Sequence, residues 1–301
     1  MLWIEPSAVC NLHCPGCPTA SGQERGGVMS LDRFERILGM LPKTVRLLNL
    51  WHRGEPLAAP EFPEMVAAAA KKGIRVQTYT NGVLLTRNNI AHRLVKASLT
   101  GISIAVDGPD EETYQRYRPG GTLADLAAGV KALAEAKREL KTRRPRIIIE
   151  CLVSRQTTAQ FAQVKRLALE WGADEVLFKT LRVGDLNYSD SRDELPDDRR
   201  LWRYEIADGG LKMKRKRESC LRLGYSFVVA WNGDIYPCCF YLKSFAPFGN
   251  IFESGFSDVW RKGALSEFRK VVAEDRDRIP MCRNCTEGLT RLYVDPIRKG
   301  F

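Results

Sequence analysis

The strongest constraint on the fold of this chain is a regular change of period. From the first residue to about residue 180, short apolar and β-branched runs alternate with amphipathic stretches of helical spacing. Strands are predicted at 3–7, 45–51, 74–80, 102–106, 146–153 and 175–179, and helices at 31–41, 61–72, 85–97, 122–141 and 158–171, the first capped by Ser30. Strands separated by helices pair in parallel, so the chain is α/β, and six such repeats suit an open barrel or a doubly wound sheet. Beyond residue 180 the pattern stops. Residues 183–200 are rich in Asp and Arg with Gly184 and Pro196, and read as a linker leading to a short helix at 200–207. From Cys220 on, only short strands are predicted, at 225–231 and 235–237 around the turn Asn232-Gly233, with a helix at 264–273 before Cys282 and Cys285. The organisation read from this is a barrel-forming unit over 1–182, a connecting segment over 183–217, and a small unit over 218–301 that needs a metal staple.

The chain has nine cysteines, at 10, 14, 17, 151, 220, 238, 239, 282 and 285. Its first residues lack the basic and apolar segments of a secretory signal, and no apolar run approaches the ~20 residues that cross a bilayer. A cytoplasmic location without membrane contact is therefore expected, and in that reducing compartment crowded thiols read as metal ligands or catalysts. The net charge of +11 suggests an anionic partner. Its basic runs at 141–146 and 212–217 interleave no aromatic residues, which argues against a nucleic-acid groove.

Cys10, Cys14 and Cys17 follow the first predicted strand directly, at the end of the sheet where βα folds place their active sites. Three thiolates leave one position of a tetrahedral or cubane site open, as a catalytic metal requires; zinc with His13 as fourth ligand is the alternative. Cys-x3-Cys-x2-Cys at this place resembles the radical S-adenosylmethionine (SAM) superfamily. Further segments resemble the same family in the same order: Arg53-Gly54-Glu55-Pro56 after the second strand, Thr80-Asn81-Gly82 after the third, and Ser103 through Asp107-Gly108 at the fourth. The resemblance implies a partial (β/α)6 barrel in which Cys10, Cys14 and Cys17 hold a [4Fe-4S] cluster whose fourth iron chelates SAM. Gly54, Glu55, Pro56, Asn81, Ser103 and Asp107 are the implied SAM-binding residues. It implies reductive cleavage of SAM to methionine and a 5′-deoxyadenosyl radical that abstracts hydrogen from substrate, with a flavodoxin or ferredoxin as reductant. The chain departs from the family pattern at Gly16, where an aromatic residue is usual, at Arg53 in place of Gly, and at Ala105 in place of Ser.

The spacing of Cys220, Cys238, Cys282 and Cys285 is similar to the twitch or SPASM auxiliary domain of many such enzymes, with its β-hairpin and helix. That resemblance implies one four-cysteine auxiliary [4Fe-4S] cluster; a four-thiolate zinc staple fits the same spacing. Cys239 and Cys151 are left over, one beside a ligand and the other a strand thiol. The resemblance then points to a net two-electron oxidation, a dehydrogenation of a small polar substrate, anionic or sugar- or cyclitol-like, with the auxiliary cluster as electron acceptor. A maturase acting on a ribosomal peptide or a protein side chain is the alternative. Oxidation requires a base, for which Glu150, Lys179 and Arg155 are the candidates at strand mouths, beside His52 and Arg182.

Overall fold

The computed structural model describes residues 1–20, 22, 26–182, 192–207, 210–214, 220–241, 246–283, 285–287 and 292–298. Of the expected connecting segment, 183–191, 208–209 and 215–217 lie outside the described residues, as do 218–219 at the start of the small unit. The first part runs β1 (Leu2–Ile4), α1 (Leu31–Met40), β2 (Leu47–Leu50), α2 (Phe62–Lys71), β3 (Arg75–Thr80), α3 (Ile90–Lys96), β4 (Gly101–Ala105), α4 (Glu111–Tyr117), α5 (Leu123–Glu139), β5 (Arg146–Val153), α6 (Phe161–Trp171) and β6 (Glu175–Thr180). Strands β1 to β6 pair in parallel, each with its neighbour in sequence, to form an open partial barrel.

Alternation along the strands gives this sheet two faces. Leu48, Leu50, Val76, Ile102, Ile104, Ile147, Ile149, Val176 and Phe178 are buried in the main hydrophobic core, which also holds α1 residues Phe34 and Ile37, α2 residues Met65 and Val66, and α5 residues Leu126 and Val130. Cys151 belongs to this core, which accounts for one leftover thiol. The alternate residues Asn49, Trp51, Tyr79, Ser103, Glu150 and Lys179 form the other face.

Caps explain several helix starts. Ser30 Oγ accepts the Arg33 N–H at 3.3 Å, and Thr122 Oγ1 accepts the Asp125 N–H at 3.0 Å. Helix α3 begins five residues later than its period suggests, because Asn88 and Asn89 take left-handed conformations (φ 48° and 56°) that Asn tolerates and a helix does not. The seven-residue α4 has no counterpart in the sequence reading; Asp110 caps it by accepting the Thr113 N–H at 2.8 Å.

The remaining elements are β7 (Tyr204–Ala207), β8 (Gly210–Met213), β9 (Val228–Val229), β10 (Ile235–Tyr236), α7 (Ile251–Arg261), α8 (Gly263–Glu274), α9 (Pro280–Arg283) and β11 (Tyr293–Arg298). The helix expected over 200–207 is not formed. A single 3-10 turn at Arg199–Leu201 leads into β7, which pairs antiparallel with β8 and buries Tyr204 beside Leu195 and Met213. Nor do the C-terminal strands make a sheet of their own. β9 adds in parallel to the free edge of β1, with β10 outside it, and β11 adds antiparallel to β6, giving a nine-stranded sheet. Both edges of the parallel sheet thus find hydrogen-bond partners in the last third of the chain. Among the described residues no helix is long and apolar enough to cross a membrane.

Candidate active site

The loop after β1 carries Cys10, Cys14 and Cys17 over the carboxyl ends of the strands. Cys14-Pro15-Gly16-Cys17 closes as a tight turn, with the Cys17 N–H donating to the Cys14 carbonyl at 3.1 Å. Gly16 has φ 69°, a left-handed value that glycine adopts without strain. His13 is exposed, and its backbone N–H donates to the Pro119 carbonyl at 3.0 Å.

The loop is held from both sides. The Glu55 N–H donates to the Val9 carbonyl at 2.8 Å, and Gly54 lies so close beneath the loop that a Cβ there would meet Ser7 O at 2.5 Å, Ala8 C at 2.6 Å and Val9 O at 2.6 Å. Those are backbone atoms with no side chain to swing away. Gly54→Ala is therefore expected to displace the loop, at a cost of about 1–3 kcal/mol or more, and to lower the iron content of the N-terminal site, measured by iron analysis beside a denaturation curve.

Three of the residues expected to bind SAM also brace this loop. Glu55 is 3% exposed, and its carboxylate accepts the Leu57 N–H at 2.9 Å, the Thr80 hydroxyl at 2.6 Å and the Asn81 N–H at 2.8 Å, tying the end of β2 to the end of β3. Pro56 opens the 3-10 turn that Glu55 caps. Asn81 Nδ2 donates to Asn11 Oδ1 at 2.9 Å and lies 3.9 Å from Cys10 Sγ. Asp107, 1% exposed, accepts the Leu152 N–H at 2.9 Å on one oxygen and Arg118 Nε and Nη2 at 2.7 and 2.6 Å on the other. Arg118, just past α4, completes the chain of contacts with Nη1 3.7 Å from Cys14 Sγ. No local pattern marks Arg118 in the sequence, because only the fold of α4 brings it to the loop. Ser103 sits one pleat deeper than Ala105, level with Tyr79 and Ile148.

Cys220, Cys238, Cys282 and Cys285 gather at the other end of the chain. Cys238 and Cys282 are buried in one apolar cluster with Leu223, Val272 and Met281, and Cys220 packs against it. The Cys285 N–H donates to the Cys282 carbonyl at 3.2 Å, and Cys285 Sγ accepts the Glu287 N–H at 3.4 Å. Cys239 packs in a separate apolar cluster, with Trp3, Val228, Ala230 and Tyr236. Arg53, the departure from the family's glycine, joins the two regions: its Nη2 donates to the Tyr241 carbonyl at 3.3 Å.

Burial pushes several of the cysteine thiols upward. The Cys10 thiol rises to about 11, against the lowering effect of the Leu12 N–H on its sulfur. Cys14 is raised by burial and drawn back by Arg118, and Cys238 is raised well above its usual value by burial and by neighbouring thiols. Buried thiols of this kind ionise in company with a bound cation, so binding releases protons. Among the described residues no three such side chains are gathered at the spacing of a single-ion site. The N–H groups aimed at Cys10, Cys14 and Cys285 suit anionic sulfur, as cluster-ligating thiolates require. The donor sets fit iron–sulfur groups.

The inner face of the barrel supplies the remaining candidates. Lys179 Nζ lies 3.3 Å from Glu150 Oε2 and 5.5 Å from the centre of the Tyr79 ring, which stands 5.7 Å from Trp51. Burial, followed by the charge of Glu150, raises the Tyr79 phenol well above its usual value and keeps it neutral. The Arg182 guanidinium stacks over Phe240 at 5.1 Å, and His52 is half-buried at the end of β2. Arg155 is not brought to this group: its side chain, 51% exposed, faces Asp197 at 3.4 Å.

An α/β partial barrel with three thiols on the loop after its first strand, and four more at a C-terminal hairpin and helix, is the frame of an iron–sulfur enzyme. Residues 4–148 match the model of the radical SAM superfamily, and residues 220–286 match that of SPASM, an iron–sulfur cluster-binding domain. The chain belongs to the radical SAM superfamily and carries a C-terminal SPASM domain, and its cofactors are SAM and [4Fe-4S] clusters. It is 26% identical over 318 residues to the tungsten-containing aldehyde ferredoxin oxidoreductase cofactor-modifying protein of Pyrococcus furiosus, covering 95% of this chain and 86% of that protein. It is 26% identical to the AdoMet-dependent heme synthase of Methanosarcina barkeri (89% and 83% covered), and 25% identical to the mycofactocin maturase MftC of Mycobacterium tuberculosis (87% and 70% covered). Among solved structures its fold is similar to BtrN in complex with AdoMet and 2-DOIA (TM-score 0.58, 19% identity, 95% and 92% covered). It is also similar to Streptococcus suis SuiB bound to S-adenosylmethionine (TM-score 0.68, 19% identity, 89% and 67% covered).

Proposed function

We propose that this enzyme carries out a two-electron oxidation of a small polar substrate held on the inner face of the barrel. In this reading Cys10, Cys14 and Cys17 hold the catalytic cluster, and the surface built by Gly54, Glu55, Pro56, Asn81, Ser103 and Asp107 borders SAM. Cys220, Cys238, Cys282 and Cys285 hold the auxiliary cluster. When bound, these groups supply hydrogen abstraction from an unactivated C–H bond and an acceptor for the electron that remains. The observation that carries the reading is the Lys179–Glu150 pair at 3.3 Å beside the Tyr79 ring, within the barrel whose mouth the thiol loop covers.

The chain's own part is to bind, orient and deprotonate. Trp51 and Tyr79 offer ring faces to the carbon skeleton of a polar ring, and the Lys179 ammonium donates to its oxygens or to an anionic group. Glu150 Oε2, held by Lys179, accepts the proton that leaves the substrate hydroxyl. Glu150→Gln is then expected to lower the oxidised product by about 10²–10⁴-fold while deoxyadenosine still forms, a separation read by assaying both products in one reaction. Equal loss of both would remove Glu150 from the role of base.

The substrate class is tested by anaerobic incubation with SAM, dithionite and ring-deuterated aminocyclitols. The reading expects label in the deoxyadenosine and a product lacking two hydrogens. A second reading, modification of a ribosomal peptide or protein side chain, is supported by the similarity to mycofactocin maturase. It is the one retained if only a short peptide encoded beside this chain raises deoxyadenosine formation and carries the change.

A further inference from the structure

Arg276 is the buried cation of the C-terminal thiol site. It is 3% exposed, and its guanidinium donates to three backbone carbonyls around the paired cysteines: Nε to Cys282 at 3.2 Å, Nη1 to Glu287 at 2.8 Å and Nη2 to Cys285 at 3.4 Å. Among the described residues no carboxylate forms an ion pair with it. The nearby Glu287 carboxylate is engaged by Arg222 instead, at 3.1 Å. Satisfying three carbonyls needs donors but no charge, and a buried charge without a counter-ion is costly. The N-terminal loop shows the contrasting arrangement, for there Arg118 has Asp107 at 2.6 Å and the pair is neutral by itself.

We infer that Arg276 is the counter-charge of the C-terminal cluster, a positioning residue whose cation offsets the cluster's negative charge and holds up its reduction midpoint. The inference rests on the reading that Cys220, Cys238, Cys282 and Cys285 hold an iron–sulfur cluster. Four thiolates on a [4Fe-4S]²⁺ core carry a net charge of about −2, which the buried guanidinium offsets. A further electron makes the group more anionic, so a fixed cation beside it favours the reduced state.

The test is an anaerobic redox titration, followed by electron paramagnetic resonance, of the reconstituted full-length enzyme and of Arg276→Gln and Arg276→Lys. The signal that survives in a Cys10/Cys14/Cys17→Ala variant identifies the C-terminal cluster. Arg276→Gln keeps donors for the carbonyls but not the charge, and its reduction equilibrium is expected to fall at least tenfold, about 59 mV for one electron. Arg276→Lys is expected to stay near wild type. An unchanged midpoint in Arg276→Gln, or an equal fall in Arg276→Lys, overturns the inference. If Arg276→Gln loses the cluster, retention of iron in Arg276→Lys supports the role of charge, and equal loss in both overturns it. Wild type with only about four irons per chain would overturn the cluster reading itself, and the inference with it.

Discussion

Replacing Cys10, Cys14 and Cys17 together by Ala is expected to abolish formation of 5′-deoxyadenosine from SAM while leaving about half of the iron in place. Apart from the Arg53–Tyr241 hydrogen bond, the two thiol groups have separate supports. Cys10 and Cys14 lie on a loop braced by Glu55, Asn81 and Arg118, whereas Cys238 and Cys282 are buried with Leu223, Val272 and Met281 in a cluster of their own. Removing the first set of ligands therefore leaves the second set's surroundings intact. Iron is expected to fall from about eight to about four per chain, with sulfide in step. Deoxyadenosine formed by the variant at the wild-type rate would place SAM cleavage elsewhere.

The second large effect is expected from Arg118→Met. The change leaves Asp107, buried at the end of β4, without the cation that meets it at 2.6 Å. Removing one partner of a buried pair costs about 3–5 kcal/mol, because the remaining charge has no solvent to turn to. Chemical denaturation of the anaerobic protein measures that loss, and iron analysis should show depletion of the N-terminal site, since Cys14 loses its only guanidinium contact among the described residues. The double variant Asp107→Asn/Arg118→Met removes both charges and is expected to be more stable than Arg118→Met alone. A single variant within about 0.5 kcal/mol of wild type would mean that the pair braces nothing.

The parallel strands were legible because each has one face in a continuous core. Ile147, Ile149, Cys151 and Val153 repeat at period two in β5, and such a run bounded by turns has few other readings. Local period alone gives a helix for the β7 segment, because its pairing partner, β8, lies beyond it in the chain and leaves no local trace. β9 falls within the strand expected over 225–231, but its pairing with β1, like that of β11 with β6, is long-range and leaves no local signal. At the site, the thiols and the glycine-containing segment at 53–56 were visible as spacing. The use of Glu55, Asn81 and Asp107 as braces was not, since a carboxylate's partners are decided by packing. Arg118 and Arg276 carry no spacing signal at all: each is one basic residue among 47, distinguished only by burial beside cysteines.

The presence of two iron–sulfur sites in one chain is tested most directly by the metal content of the wild-type protein after anaerobic reconstitution. Iron, acid-labile sulfide and zinc are measured together against protein concentration. About eight irons and about eight sulfides per chain, without zinc, are expected. About four irons with one zinc would make the C-terminal site a structural staple, and zinc without iron would contradict the account as a whole.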